Sequence, residues 1–338
     1  MDLIIYCDNF QPNNSNYYWK KKLEKYTDQL IAIKINPNIG FIRESFLKKY
    51  KENPNAKCML HLGGSVKYDH VFPIEQLRSL KNEFPNLRLT SHYGDIYQND
   101  YIYTLGTFFD AIHVTNASNI KSSSMYFCPH PIDLDWYNSN IEAKKYDIAF
   151  AGNTYLDKRV QFLQKLVNEF KDKSFIVIGK GWDKYQLPKN VTLTGQLSIE
   201  QTIKYYQESK LVLDDPIGYY CKYNNVNKCC SLGNKFYQKP ICTNHSCEDL
   251  TLTDKWFSSR PLHMLLSKTP AIMTNRYGQK SVIPYAKYAS NFDEFCSSIG
   301  WVFNNMDQAV ILANQGYEQV QEFSFERCIE KLVNHRIN

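Results

Sequence analysis

The chain has 338 residues, a length that suits two domains, and its 43% hydrophobic content excludes a disordered protein. Its formal net charge of +6 permits a polyanionic partner without requiring one. The N-terminal MDLIIYCDNF lacks the pattern of a signal peptide, and no stretch approaches the ~18 apolar residues of a membrane span. We therefore expect a cytoplasmic protein with reduced thiols.

Short apolar runs alternate with polar segments of helical spacing through the first part of the chain. Buried strands are predicted at 2–7, 30–35, 57–62, 87–92 and 111–115, with helices between them at 14–26, 42–51 and 74–83. This alternation is typical of βα units that form a parallel sheet. Residues 1–130 are therefore predicted to be a Rossmann-like domain.

A second series of the same kind follows a proline-bounded linker at 131–146. Strands are predicted at 146–152, 174–181, 191–197, 211–215 and 270–275, with helices at 157–171, 198–210 and 260–268. The sequence thus predicts a second Rossmann-like domain at 147–315, interrupted by a cysteine-rich insertion at 216–256 and followed by a C-terminal helix at 316–338. The overall fold class is α/β, with ligands expected at the carboxyl ends of the strands.

Three segments together resemble elements of group 1 GT-B glycosyltransferases. They match the donor-site, interdomain and second-domain elements of that family, in this order: LHMLLSKTPAIMTNRYG (262–278), FCPHPIDLDWY (127–137) and YDIAFAGNTYLDKR (146–159). Ser259 and Arg260 bring the chain closest to the spore-maturation (CgeB-like) members, with a phage DNA-modifying member as one alternative. The resemblance implies two Rossmann-like domains facing a central cleft. It also implies transfer of a sugar from a nucleotide-sugar donor, expected to be a UDP-sugar, to an acceptor hydroxyl.

A donor diphosphate needs backbone N–H groups and a cation. Gly152 and Asn153, which lie between a strand and a helix, would supply the N–H groups, and Arg159 and Arg260 would supply positive charge. Arg159 could equally be a solvated charge on a helix face. Further candidates on the donor side follow later strands or lie in the donor helix: Gly179, Gly181, Gln196, His263, Thr274 and Asn275.

The donor helix departs from the pattern of the family. Retaining GT-B enzymes often carry two glutamates there, and the corresponding positions are Lys255 and His263, while Lys268 and Thr269 replace the usual glycine before proline. His263 could hydrogen-bond a ribose hydroxyl or a phosphate, or could pack on a helix face. The departures leave open a GT-B-like protein that binds nucleic acid without catalysis.

The acceptor is expected to bind to the first domain. An inverting reaction would need a base for the acceptor hydroxyl, and Asp95 in TSHYGDIY is the candidate, although it could instead cap the following helix. The stereochemistry remains open. His61 and His92, near the ends of two predicted strands, are the second choices for this base. Gly63 and Gly64 are also placed beside the acceptor. The resemblance implies no metal ion in the chemistry.

The cysteine-rich insertion offers soft ligands for a structural zinc ion, four of which would form a tetrahedral site. Unligated thiols are the equal alternative, and a reducing compartment disfavours disulfides. Lysines lie among aromatic residues here, a pairing used on nucleic acids, with a solvated, lysine-rich surface loop as the alternative. Double-stranded DNA is the nucleic-acid partner that this interpretation predicts. Hydroxymethylated DNA bases are therefore one predicted acceptor, and a small or lipid-linked glycan acceptor is the alternative. The ligand candidates are Cys221, Cys229, Cys230, Cys242, His245 and Cys247.

Overall fold

The computed structural model describes residues 4–8, 15–34, 43–60, 74–93, 107–115, 123–141, 143–154, 157–214, 259–275 and 279–334. Two compact units make up the chain. Unit 1 comprises Met1–Ile132, Trp256–Ser258 and Glu322–Asn338, and unit 2 comprises Asp133–Lys255 and Ser259–Gln321. Unit 1 is therefore discontinuous in sequence, because the chain returns to it at Glu322.

The sheet of unit 1 is parallel throughout, with strand order β2-β1-β3-β4-β5-β6. All four residues of β5 are buried, as expected for a strand covered on both faces. The strands are β1 (Ile4–Asp8), β2 (Leu30–Lys34), β3 (Lys57–Leu60), β4 (Leu89–Tyr93), β5 (Ala111–Val114) and β6 (Met125–Phe127).

The sheet of unit 2 is also parallel, with strand order β12-β11-β10-β7-β8-β9. Counted within the unit this is 6-5-4-1-2-3, the doubly wound Rossmann order. The order reverses between two adjacent strands, β7 and β10. The strands are β7 (Tyr146–Ala151), β8 (Phe175–Ile178), β9 (Val191–Gly195), β10 (Ser209–Leu213), β11 (Ala271–Thr274) and β12 (Lys287–Ala289).

The helices cover the sheets with amphipathic faces. The described helices are α1 (Ser15–Tyr26), α2 (Arg43–Glu52), α3 (Ile74–Glu83), α4 (Asp157–Glu169), α5 (Ile199–Gln207), α6 (Ser259–Leu266), α7 (Gln279–Val282), α8 (Phe292–Asn304), α9 (Met306–Val320) and α10 (Phe325–Asn334). None of these helices is both long and apolar enough to cross a bilayer.

Helix α10 shows how the last residues of the chain complete unit 1. Its buried residues recur at the spacing of one helical face: Phe325, Cys328, Ile329, Leu332 and Val333. The Phe325 ring meets the edge of Trp19 in α1 at 5.2 Å between centroids. Lys22 Nζ lies 3.0 Å from Glu326 Oε1. These contacts hold the returning segment against the first helix.

Two local sets of hydrogen bonds fix where a helix and a strand of unit 2 begin. Helix α5 begins with a capping box, in which the Ser198 hydroxyl accepts a hydrogen bond from Gln201 N–H and the Gln201 side chain accepts one from Ser198 N–H. At the start of β7, the Asp147 carboxylate accepts hydrogen bonds from Ser174 and from Lys210 Nζ at 2.9–3.0 Å. Burial raises the pKa of Asp147, but these hydrogen bonds outweigh it and lower the pKa below its usual value.

The α/β fold class predicted from sequence is confirmed by the two parallel sheets. The sequence predicts one helix at 316–338, whereas the structure ends α9 at Val320 and begins α10 at Phe325. Between them lie a 3₁₀ turn at Gln321–Phe323 and Ser324, which bridges to Ile132. The predicted insertion at 216–256 lies outside the described residues.

Candidate functional site

The strand order of the unit 2 sheet reverses between β7 and β10. In a doubly wound sheet the carboxyl ends of the two strands at this switch point are where a ligand crevice is expected. Leu213 pairs with Phe150, which brings Asp214 next to the Ala151–Gly152 peptide. Ligands of doubly wound sheets bind at such positions.

A buried carboxylate joins three elements at this edge. The Asp214 side chain is fully buried, and its Oδ1 lies 3.6 Å from Arg260 Nη1 at the start of α6. Its Oδ2 accepts a hydrogen bond of 3.3 Å from the Thr274 N–H at the end of β11. The Arg260 side chain keeps 24% exposure. A charged carboxylate therefore orients a cation that solvent, or a ligand, can reach.

Tyr206 lies near this ion pair. It is buried, and burial raises the pKa of its phenol, so the ring stays neutral near the Asp214 carboxylate. Further along α6, the His263 ring meets Trp136 edge-on, with 5.6 Å between ring centroids. Trp136 is itself buried in the 3₁₀ turn Leu134–Trp136. His263 thus packs on the segment that begins unit 2.

The loops after β7 and β8 are bonded to each other. Gly152 N–H donates to Ile178 O, and Thr154 N–H donates to Lys180 O. The Asn153 side-chain oxygen accepts from Lys180 N–H at 2.8 Å. The Gly152 N–H, which the sequence suggested for the diphosphate, thus bonds to the second loop, as do the Thr154 N–H and the Asn153 side-chain oxygen.

Arg159 supports the same loop from the interior. Its side chain is fully buried, and a guanidinium N–H donates to the backbone oxygen of Asn153. A Cβ added at Gly152 would lie 3.0 Å from Arg159 Cδ. Arg159 therefore braces the Gly152–Asn153 turn from a position that solvent does not reach. It differs in this respect from the solvent-accessible Arg260.

The two loop glycines allow the close approach. Gly179 has φ +143°, and a Cβ there would lie 2.2 Å from Gly152 O. Gly181 has φ +86°, and a Cβ there would lie 2.2 Å from Thr154 Oγ1. A side chain at Gly179 would meet the Gly152 backbone and push the loops apart, whereas one at Gly181 would displace the Thr154 side chain. Trp182 then donates its indole N–H to Gly152 O at 2.6 Å.

The other donor-side candidates lie at separate places on this edge. Gln196 is exposed after β9, beyond the left-handed Gly195. Thr274 is buried and joined to Asp214, whereas Asn275 is exposed and donates to Ser290 Oγ at 3.1 Å. The structure thus joins Arg260 and Thr274 through one carboxylate and ties Gly152, Asn153, Arg159, Gly179 and Gly181 into one loop pair.

Of the acceptor-side candidates, the structure describes His92. It is fully buried in β4, 5.1 Å from the Trp19 ring and 5.5 Å from the His130 ring between centroids. It is thus part of the packed interior of unit 1. Asp95, His61, Gly63 and Gly64 lie outside the described residues.

The zinc ligands predicted from sequence also lie outside the described residues: Cys221, Cys229, Cys230, Cys242, His245 and Cys247. Within the described ranges, no group of three or more His, Cys, Asp or Glu residues has the arrangement of a metal site.

Sequence reasoning missed Asp214 and Trp136. Asp214 falls at the end of a predicted strand, and a carboxylate directly after the apolar LVL is a signal for a buried, paired charge. Trp136 belongs to the interdomain segment of the family resemblance. Its role depends on a contact with His263, more than a hundred residues later in the chain, which no local pattern shows.

No protein-family model matches the sequence, and a search of curated proteins finds no match either. Solved structures do match over nearly the whole chain. The HepE protein of Anabaena, solved in complex with UDP, aligns with TM-score 0.61 and 10% identity over 99% of this chain and 100% of its own.

Two further structures match to a similar degree. Sucrose-phosphate synthase from Thermosynechococcus elongatus aligns with TM-score 0.62 and 12% identity over 99% of both chains. A glycosyltransferase from Rickettsia africae aligns with TM-score 0.63 and 11% identity over 99% of this chain and 97% of that one. At such identities the likeness shows the fold, which is the GT-B fold of these proteins.

Proposed function

We propose that this protein is a glycosyltransferase that moves a sugar from a nucleotide-sugar donor to an acceptor hydroxyl. The observation that carries the proposal is the Asp214–Arg260 pair at the carboxyl ends of the unit 2 strands. A partly exposed guanidinium, oriented at the switch point of a Rossmann-type sheet, suits a diphosphate. The structurally similar HepE binds UDP, which supports a UDP-sugar as donor.

Arg260 would act on the leaving group. In the transfer, the bond between the sugar anomeric carbon and the diphosphate oxygen breaks, and a bond to the acceptor oxygen forms. Negative charge grows on the diphosphate as it departs, and a positioned guanidinium stabilises that charge. Asp214 would keep the guanidinium in place, because its carboxylate is buried and bonded to both Arg260 and Thr274.

The loop pair of Gly152–Thr154 and Gly179–Trp182 would form a neighbouring wall of the donor site. Its conformation is fixed by hydrogen bonds between the loops and by the buried Arg159. A pre-organised wall loses little entropy when a ligand binds. In this role the loop residues position the donor, and Arg260 contacts it.

A thermal-shift panel of nucleotide sugars tests the donor site. A donor at about 100 times its Kd stabilises the native protein by about 2.7 kcal/mol, which raises Tm by roughly 5 °C. Arg260→Gln should remove most of the shift. Arg78→Gln, an exposed arginine paired with Glu75 in unit 1, is the matched control and should keep it. Equal shifts in both variants would contradict the assignment of Arg260.

For catalysis we propose Asp95 as the base that takes the acceptor proton, as in an inverting reaction. Asp95→Asn should then lower kcat by about 100-fold or more and leave the donor Kd unchanged. An unchanged kcat would favour a retaining mechanism. Donor binding with neither hydrolysis nor transfer in wild-type protein would favour the non-catalytic alternative.

As acceptor we propose a hydroxymethylated base in double-stranded DNA, consistent with a phage DNA-modifying member of the CgeB-like group. The support is the net charge of +6 together with the lysines and aromatic residues of 216–256. Binding should weaken steeply as salt rises from about 50 to 200 mM. Transfer to a small or lipid-linked glycan, with no DNA binding at low salt, would replace this acceptor.

We also propose that four of the six ligand candidates in 216–256 hold a structural zinc ion, because a short insertion with soft ligands can gain its folding energy from a metal. Elemental analysis of purified protein should find about one zinc per chain. Protein that contains no zinc and keeps its unfolding transition in the presence of a chelator would contradict the site.

A further inference from the structure

Two cysteines far apart in sequence meet in unit 1. Cys128 directly follows β6, and Cys328 lies on the buried face of α10. Their Sγ atoms are 3.3 Å apart, and the side chains belong to residues that are 7% and 1% exposed. The described cysteines Cys58 and Cys296 are free thiols as well. A dithiol at contact distance needs only a small shift to reach the S–S bond length of about 2.05 Å.

The surroundings of the pair favour a thiolate on Cys128. The hydrogen bond with Cys328 lowers the pKa of Cys128, burial raises it, and the nearby His113 and Lys331 lower it further, so that the pKa falls below its usual value. The same hydrogen bond, with burial, raises the pKa of Cys328. Of the two thiols, Cys128 therefore ionises more readily. A thiolate is the reactive form of cysteine.

A pocket of about 540 Å³ gives small molecules a route to Cys128. All of its lining residues belong to unit 1. Basic and acidic side chains both line it: Arg327 and Lys331 beside Glu322 and Glu330, with Arg327 Nη1 3.4 Å from Glu330 Oε2. Cys128 is the member of the cysteine pair that lines this pocket.

We propose that Cys128 and Cys328 form a redox-active dithiol that a peroxide converts reversibly into a disulfide. The Cys128 thiolate attacks one oxygen of hydrogen peroxide, the O–O bond breaks, and sulfenic acid and hydroxide result. The Cys328 thiol then attacks the sulfenic sulfur, the S–S bond forms, and the sulfenic oxygen leaves as water. Two thiols are oxidised and one peroxide is reduced. A dithiol reductant reverses the bond by exchange.

The bond would join the end of β6 to α10, the segment that returns to unit 1 after unit 2. In the reduced protein this segment is held by side-chain packing and the Ile132–Ser324 bridge. The covalent link removes the freedom of α10 to leave the sheet. The proposal concerns unit 1 and does not depend on the donor site described for unit 2.

Mass spectrometry after mild peroxide treatment tests the pair in the full-length protein. Wild type should yield a linked peptide that contains Cys128 and Cys328 and disappears with dithiothreitol. In Cys328→Ser, a dimedone probe should label Cys128 as sulfenic acid. In Cys128→Ser, Cys328 should stay reduced. Oxidation should raise the Tm of wild type by roughly 5 °C and leave both variants unchanged.

Cys58 is the internal control, because it is 1% exposed like Cys328 but burial raises the pKa of its thiol to about 12. It should remain reduced at peroxide doses that oxidise Cys128. The proposal is overturned if no linked peptide forms before the protein unfolds, or if Cys58 and Cys128 react at the same rate. Dimedone labelling of Cys328 in Cys128→Ser would equally contradict Cys128 as the attacking thiol.

Discussion

Replacing Gly179 with alanine should destabilise unit 2 far more than alanine at the described glycines where an added Cβ would meet open space. Two effects add. At φ +143° a residue with a side chain is strained by roughly 1–3 kcal/mol. The new Cβ would also lie 2.2 Å from Gly152 O and 2.7 Å from the carbonyl carbon, both of which are backbone atoms.

Relief of that contact requires the Gly152 carbonyl to move by about 1 Å, the gap to an ordinary van der Waals distance. This carbonyl accepts the Trp182 indole N–H, and Arg159 packs against the same residue, so the movement disturbs the whole loop pair. Overpacking of this kind typically costs about 1–3 kcal/mol. We therefore expect a total loss of roughly 4 kcal/mol, with weaker UDP binding.

Urea denaturation and UDP calorimetry on three alanine variants measure the effect. Gly195→Ala shares the positive φ, at +71°, but its Cβ meets nothing within 4 Å, so about 1 kcal/mol is expected. Gly300→Ala lies in a helix with open space and should be stabilising by up to about 1 kcal/mol. If Gly179→Ala costs no more than Gly195→Ala, the close contact between the loops is refuted.

Three further outcomes are expected. Asp214→Asn should weaken UDP binding about tenfold in calorimetry, because Arg260 loses the charge that orients it, and an unchanged Kd would contradict that role. Asp147→Asn should cost about 1 kcal/mol at pH 7. Because the folded pKa is depressed, the difference from wild type in denaturation series should begin to shrink as pH falls below about 4 and should be lost below the lowered folded pKa. The exposed Asp172→Asn is its control and should change stability little. Ser198→Ala should cost about 1 kcal/mol in urea denaturation through loss of the α5 cap, and no loss would show that the cap contributes nothing.

The fully buried strands could be predicted from sequence because burial on both faces leaves an apolar run. Strands of a parallel sheet are covered on both faces and are therefore continuously apolar, as in FIVI of β8 or AIMT of β11. The edge strands β6 and β12 escaped prediction. They have three residues each, MYF and KYA, and are only partly buried, which leaves no periodic signal.

For the candidate site, sequence shows residue type and spacing but not which side of a loop a side chain takes. Arg260 and Arg159 are equivalent cations in the sequence, yet one is partly exposed at the switch point and the other is buried against Gly152. Lys268 illustrates the opposite case. It is a lysine, yet it adopts φ +57°, the left-handed conformation that favours glycine, in the turn that ends α6.

The discontinuity of unit 1 has a consequence for biosynthesis. A ribosome delivers the described strands of its sheet first, but α10, which covers α1, β4 and β5, is translated only after unit 2. Until then the apolar surface that will meet Phe325 and Ile329 lacks this helix. The nascent chain must therefore keep an unfinished hydrophobic face soluble while unit 2 is translated, a period in which chaperones would be needed.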